Sequence, residues 1–284
     1  MKCYVVNLDR RIERFHEFVR CNPELGLEIV RFPGVDGSQL TEVPPQVDTW
    51  KIRVQIGKDP NRMGGVFGCY LSHLRVLEAF LSTGDDFAVL AQDDAQFPPH
   101  SELWLQDVTA TYEDDWDLLF LYRNHRGWYL PYRQCGNRQL AINLWKDSGA
   151  VACVVSREGA KRLVAGLQKI TMAYDASLDH EWLFGFRTST LIPFPVTLRP
   201  IDQSDTIPWS RHSKLSALRR YWTVWPIRWY RTLCRFIYRY RRWRSLSHRA
   251  ATCHVAPPGG SPKGRRRPDE DSETSKATQY SSDR

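Results

Sequence analysis

Carboxylates gather at three places in the 284-residue chain: Asp85-Asp86, Asp93-Asp94 and Glu113-Asp114-Asp115-Trp116-Asp117. Neighbouring carboxylates can hold Mg²⁺ or Mn²⁺, hard ions that take oxygen ligands and share the phosphates of a substrate. Position relative to the strands separates the three clusters. In open α/β sheets ligands bind beyond the carboxyl ends of the strands. The apolar run Phe87–Ala91 leads directly into Gln92-Asp93-Asp94, which sets two carboxylates at a strand's exit. Asp115-Trp116-Asp117 is a literal D-x-D, but it stands before the predicted strand Leu118–Tyr122 and so belongs to the opposite edge of the sheet. Asp93 and Asp94 are the preferred pair, against the alternative that they form a solvated turn.

The elements that position these groups follow from hydrophobic periodicity. Up to about residue 205, short apolar runs alternate with amphipathic stretches, the habit of an α/β domain. Strands are expected at Lys2–Asn7, Ile29–Phe32, Phe87–Ala91, Leu118–Tyr122 and Ala150–Val155, and helices at Arg11–Cys21, Gly65–Thr83 and Arg157–Gly166. Ser156 is placed to cap the last helix. The second region, 206–250, is basic and aromatic. Between Arg211 and Arg249 it holds twelve Arg or Lys, nine aromatic residues and no Asp or Glu, with apolar side chains at helical spacing. Pro226 inside it predicts two helices or one kinked helix. The third, 251–284, is rich in Pro, Gly, Ser and charge, and reads as a disordered tail.

A hydrophobic content of 42% allows a core of real size, while the net charge of +8 comes largely from the basic segment. The seven cysteines are scattered without a C-x-x-C pair, which suits neither a zinc site nor a disulfide framework. They read as reduced thiols in a cytosol. The apolar opening Met1–Leu8 is too short for a signal peptide, and no run approaches the roughly 20 apolar residues needed to cross a bilayer. The expected location is cytoplasmic, peripheral at the inner face of the membrane. Trp on one face of a helix and Arg on the other would suit an anionic lipid surface. Packing of the Trp stripe on the catalytic domain and nucleic-acid binding are the alternatives.

Four ordered blocks carry a resemblance. They are Val5-Val6-Asn7-Leu8-Asp9-Arg10 with Arg14, Phe32-Pro33-Gly34-Val35-Asp36-Gly37, Gly65-Val66-Phe67-Gly68-Cys69-Tyr70-Leu71-Ser72-His73, and Val89-Leu90-Ala91-Gln92-Asp93-Asp94. Together with Gly149–Ala160, Asp175–Trp182 and Pro193–Asp205, they resemble the lipopolysaccharide and lipooligosaccharide glycosyltransferases of family 25, to which the collagen galactosyltransferases also belong. The resemblance covers residues 1–205. It implies a GT-A-like, Rossmann-type α/β domain, a nucleotide-sugar donor such as a UDP-sugar, a divalent metal, and transfer of a sugar, commonly galactose, with inversion to a lipid-linked or oligosaccharide acceptor. Where the family carries Glu-Asp-Asp this chain has Gln92-Asp93-Asp94, which removes one charge from the metal side.

Under that resemblance Asp94 is the expected metal ligand, with Asp93 beside it and His180 able to complete the shell. Asn7, Asp9, Arg10 and Arg14 can meet the base, ribose and diphosphate of the donor, although Asp9 can equally cap a helix while Arg10 and Arg14 form its wet face. Asp36 can reach the donor or bond its own turn. Ser72 and His73 can face the donor or serve helix packing, and Gln92 can hydrogen-bond a ribose. An inverting transfer needs a base for the acceptor hydroxyl. Asp179 is the first choice and Asp175 the second, with Glu181 read as surface charge.

Overall fold

Along each central strand, successive side chains enter opposite cores, as the two-residue period of a strand requires. Cys3 and Val5 of β1 (Lys2–Asn7) and Val89 and Ala91 of β3 (Phe87–Gln92) pack into one core, while Tyr4, Ala88 and Leu90 pack into the other. A sheet buried on both faces needs helices on both. In the computed structural model, which describes residues 1–53, 58–124, 127–199 and 225–253, both layers are present.

The sheet has eight strands in the order β2-β1-β3-β8-β5-β9-β7-β6. β1 lies parallel to both β2 (Glu28–Pro33) and β3. β8 (Ala152–Ser156) enters antiparallel between β3 and β5 (Leu118–Phe120), and β9 (Thr188–Ile192) follows β5 in parallel. An antiparallel hairpin of β6 (Tyr129–Cys135) and β7 (Arg138–Asn143) closes the far edge. Six of the eight strands therefore share a direction, and the chain is α/β and Rossmann-like. A two-stranded ribbon of β4 (Ala95–Gln96) and β10 (Thr197–Leu198) stands beside the exit of β3.

One face carries α1 (Ile12–Cys21) and α4 (Ser101–Ala110); the single-turn α2 (Thr49–Lys51) comes between them in the chain. The other carries α3 (Gly64–Leu81), α5 (Arg157–Gly166) and α6 (Tyr174–Leu178), with α7 (Glu181–Phe184) following. Ser156 caps α5 as its sequence position predicts, its hydroxyl accepting the Gly159 N–H at 3.0 Å. Ser156→Ala should cost about 1 kcal/mol, read as a lower urea midpoint with an unchanged slope.

The described part of the basic segment is one helix, α8 (Trp225–Cys253); the break expected at Pro226 falls on residues before Trp225, outside the described ones. Residues 206–224 and the tail beyond Cys253 lie outside the described residues. α8 also packs on the first core through Leu246, Phe236 and Trp243, so it completes the domain instead of hanging from it.

Its polarity is the departure from expectation. Arg235 and Arg239 are buried against the protein, while Trp225, Trp229 and Tyr230 are exposed. Among the described residues no helix is long and apolar enough to cross a membrane.

Candidate functional site

The register of the sheet brings several chain segments to one edge. Asn7 pairs with Pro33 and Val6 with Gln92, so β1, β2 and β3 all end there. β8 runs the other way and begins there, its approach held by the Gln92 N–H on the Val151 carbonyl at 2.8 Å. β5 ends at the same edge, with Arg123 just beyond it. The walls on the β2 side meet main chain to main chain: a Cβ on Gly68 would lie 2.5 Å from the Val35 carbonyl oxygen, and one on Gly37 2.0 Å from that of Gly64. The glycines of two sequence blocks are there so that the start of α3 can touch the turn after β2.

At the exit of β3 the two carboxylates divide their tasks. Asp93 is held from both sides: its Oδ2 accepts the Asn7 amide at 2.8 Å and its Oδ1 the Arg14 guanidinium at 2.5 Å. Arg199, arriving from the β10 end, donates from its side chain to the Asp93 carbonyl at 3.1 Å and from its backbone N–H to the Asp94 carbonyl at 2.9 Å. Asp94 is 9% exposed, and its Oδ1 is buried with no hydrogen-bond partner. Burial, reinforced by the charge of Asp93 and only partly offset by Arg14, pushes its carboxyl up to about 6. A buried carboxylate oxygen without a donor calls for a cation or a proton.

Around this pair the residues expected to meet the donor form charged pairs. Arg31 reaches Asn7 Oδ1 at 3.0 Å and Asp9 at 2.5 Å. Arg10 reaches Asp36 at 2.7 Å, and the other oxygen of Asp36 accepts the backbone N–H of Ser38. Asp36 thus bonds its own turn, and its carboxyl falls below the usual range, chiefly through Ser38 and then Arg10. Asp9 caps no helix. Gln92 lies half-buried at the end of β3.

Several expected site residues turn out otherwise. Ser72 is spent on packing, donating to the Gly68 carbonyl at 2.6 Å and accepting the Val35 N–H at 2.8 Å. His73 is buried and stacked on Tyr174, with ring centroids 4.1 Å apart, and burial lowers its pKa to about 4. Neither side chain opens toward a donor. His180 does not join Asp94: its Nδ1 meets the Ala176 carbonyl at 2.7 Å and its Nε2 the Arg235 guanidinium at 3.3 Å.

Asp179 also departs from the role expected of it. It is 1% exposed and lies among Arg235 at 3.0 Å, Arg239 at 3.3 Å and Arg123 at 3.5 Å. Burial still pushes its carboxyl above the ordinary value against those three charges. No acceptor can reach it while α8 is in place. Glu181, expected at the surface, is fully buried, with both oxygens taken by the Arg239 fork at 2.7 Å. Arg123 further pairs with buried Asp147 at 3.6 Å. Of the ionisable side chains Asp175, Asp179, His180 and Glu181, Asp175 alone stays half-open, at the first turn of α6, its Oδ1 accepting the Ala176 N–H at 2.8 Å. It lies near α3, where burial and then its charge push the Cys69 thiol up to about 12.

The literal D-x-D lies at the other edge and is consumed in structure. Asp117 is fully buried between Arg162 at 2.6 Å and Arg187 at 2.8 Å, Asp115 accepts the Tyr132 hydroxyl at 2.9 Å, and Trp116 is in the core.

The sequence profile described as glycosyltransferase family 25 (LPS biosynthesis protein) matches residues 1–178, more than half of the chain. The chain belongs to glycosyltransferase family 25. The four ordered blocks that carry the resemblance are the segments that meet at the carboxyl edge. Among relatives, a "Glycosyltransferase 25 family member" from Anopheles gambiae is 27% identical over 66% of this chain and 34% of its own length. "Procollagen galactosyltransferase 2" from Mus musculus is 24% identical over 57% of this chain and 27% of its own. The chain thus spans about a third of the length of these relatives. The solved structure titled "Crystal Structure of A197 from STIV" aligns over 73% of this chain and 98% of its own, at 13% identity and a TM-score of 0.34, too low to carry an argument.

In this family 25 chain the residues missed by sequence reading are Arg31, Arg123, Asp147 and Arg199. Arg123 follows an apolar strand exit just as Asp93 does, and the same rule applied to β5 finds it. Arg31 interrupts the otherwise apolar Ile29–Phe32, a charge on a strand that must have a partner.

Proposed function

We propose that this family 25 chain transfers a hexose, galactose, from a UDP-sugar to a hydroxyl of a lipid-linked glycan or oligosaccharide, with Mg²⁺ or Mn²⁺ at Asp94 and inversion at the transferred carbon. The observation that carries the reading is the division of labour at the exit of β3, where Asp93 is saturated by Asn7 and Arg14 and Asp94 keeps a buried oxygen with no donor. Among the described residues no three His, Cys, Asp or Glu side chains converge on one point. That suits an ion which takes one or two carboxylates from the protein and completes its shell with water and substrate phosphates. When bound, the ion neutralises charge on the departing diphosphate.

The protein's own residues supply the rest. Asn7 and Arg14 hold Asp93, and thereby its neighbour, in one orientation, while Arg10 and Arg31 line the donor side. As the acceptor oxygen bonds to the anomeric carbon, the carbon–oxygen bond to the diphosphate breaks and its electron pair leaves with the phosphate. The hydroxyl proton passes to Asp175, the carboxylate of its segment that α8 leaves open. Galactose is supported by the name of the mouse relative and by the family resemblance.

The test is the melting temperature of the full chain against UDP-, GDP- and CMP-sugars, with and without Mn²⁺. A ligand at a hundredfold its Kd adds about 2.7 kcal/mol of stability, so UDP-galactose with Mn²⁺ should raise the melt clearly and more than either alone. A folded sample that responds to no donor would overturn the proposal.

A further inference from the structure

We propose that the outward face of α8 is a docking surface for an anionic lipid bilayer. This stands apart from the transferase reading, because it rests on a different surface of the molecule. The helix is amphipathic in the reverse of the usual sense. The side turned to the protein carries Arg235, Arg239 and Arg242, whose guanidiniums bond Asp179, Glu181 and the backbone of Asp115 and Thr188. The side turned away carries Trp225, Trp229, Tyr230 and Leu233, exposed by between 51% and 69%, and continues through Ile237 and Tyr240. At a 1.5 Å rise per residue this stripe is roughly 22 Å long.

Charge chooses the occupant. From Trp225 to Cys253 the helix has eight Arg and no Asp or Glu. With three of those Arg consumed inside, Arg228, Arg241, Arg244 and Arg249 remain exposed, Arg241 and Arg244 beside the aromatic stripe. A second copy docking through a twofold axis would set this face against itself, cation against cation. Of the two segments outside the described residues that flank the helix, the one after Cys253 offers only Val255 and Tyr280 as large apolar side chains; residues 200–224 carry more, and a stripe covered by them would leave the protein off neutral and anionic vesicles alike, which would overturn the proposal. An anionic bilayer answers both halves of the face, since Trp and Tyr settle at the headgroup level and Arg pairs with phosphate. Beside the stripe, a groove of about 620 Å³ is walled by Ile237, Arg241, Arg242 and Arg249. Its acids are already committed, Asp114 to Arg187 at 2.7 Å and Asp115 to Tyr132.

Co-sedimentation of the full chain with phosphatidylcholine vesicles, plain or containing a third phosphatidylglycerol, tests the proposal. Anionic vesicles should take up the protein at least about tenfold more strongly than neutral ones, and the difference should shrink in high salt. Trp225→Ser with Trp229→Ser, and separately Arg241→Glu with Arg244→Glu, should each reduce uptake about tenfold or more while the melting temperature stays put. All four side chains are exposed or partly so and leave the core intact. Equal uptake on neutral and anionic vesicles, or variants that bind as the parent does, would overturn the proposal. So would light scattering that shows a dimer broken by the Trp pair, or RNA binding lost in the same variants without any vesicle binding.

Discussion

Asp94→Asn is expected to abolish transfer and, in metal-free buffer above pH 6, to raise the stability of the protein. On the proposed function, the loss follows from removing the charge that would face the donor diphosphate. Deleting one group that stabilises a developing anion costs roughly 10²–10³-fold in turnover, and Asp94 is the sole carboxylate of its pair with a vacant oxygen. The gain follows from linkage. An unfolded Asp ionises near 3.8, whereas burial and Asp93 hold folded Asp94 at about 6. Between those two values the folded state keeps a proton that the unfolded state has lost, so stability falls as pH rises from about 4 to 6 and stays low above. The difference corresponds to at most about 3 kcal/mol, which an uncharged Asn would recover. Melting at pH 5 and pH 8 reads the effect directly: wild type should lose stability between the two relative to Asp94→Asn, and Mn²⁺ with donor should restore it in wild type alone. A variant that turns over normally, or that melts lower at pH 8, would remove Asp94 from the site.

Arg239→Ala should be among the most destabilising single changes in the molecule. Its fork occupies both oxygens of Glu181, which is fully buried, and it also touches Asp179 and the Trp145 carbonyl. Removing one partner of such a pair leaves a charge in the interior without a counter-charge, at a cost of about 3–5 kcal/mol. The double variant Arg239→Met with Glu181→Met should recover most of that cost, because an apolar pair of similar volume has nothing left to neutralise. Urea midpoints of Arg239→Met, Glu181→Met and the double form the cycle, and additive losses would show that the two groups do not depend on each other. By the same reasoning, truncation before Trp225 should leave Glu181 without its Arg239 partner and Asp179 with Arg123 alone of its three cations, so α8 cannot be removed as though it were a tail.

What could be read from the sequence, and what could not, divides along physical lines. Strands β1, β2 and β3, helix α5 and the Ser156 cap were legible because each depends on neighbours within a few residues. The choice of Asp93-Asp94 over Asp115-Trp116-Asp117 came from one topological rule, and the two clusters do fall at opposite edges. The orientation of α8 was not legible. Periodicity identifies two faces but not which one turns inward, and here the inward face was chosen by Asp179 and Glu181, far away in the chain. The same distant contact removed Asp179, His180 and Glu181 from the roles expected of them, while Ser72 was claimed by the close approach of α3 to the turn after β2 and His73 by its stack on Tyr174.

That close approach also governs how the site can change over time. Where Gly37, Gly64 and Gly68 bring main chain against main chain, no side chain stands between the two walls to be exchanged for a larger or smaller one. Mutational drift there meets the backbone at once, and the width of the β2 side is in effect inherited. Diversification of what the site accepts is left to the opposite flank, around β8, β5 and the Asp175 turn, where side chains meet side chains and can be traded.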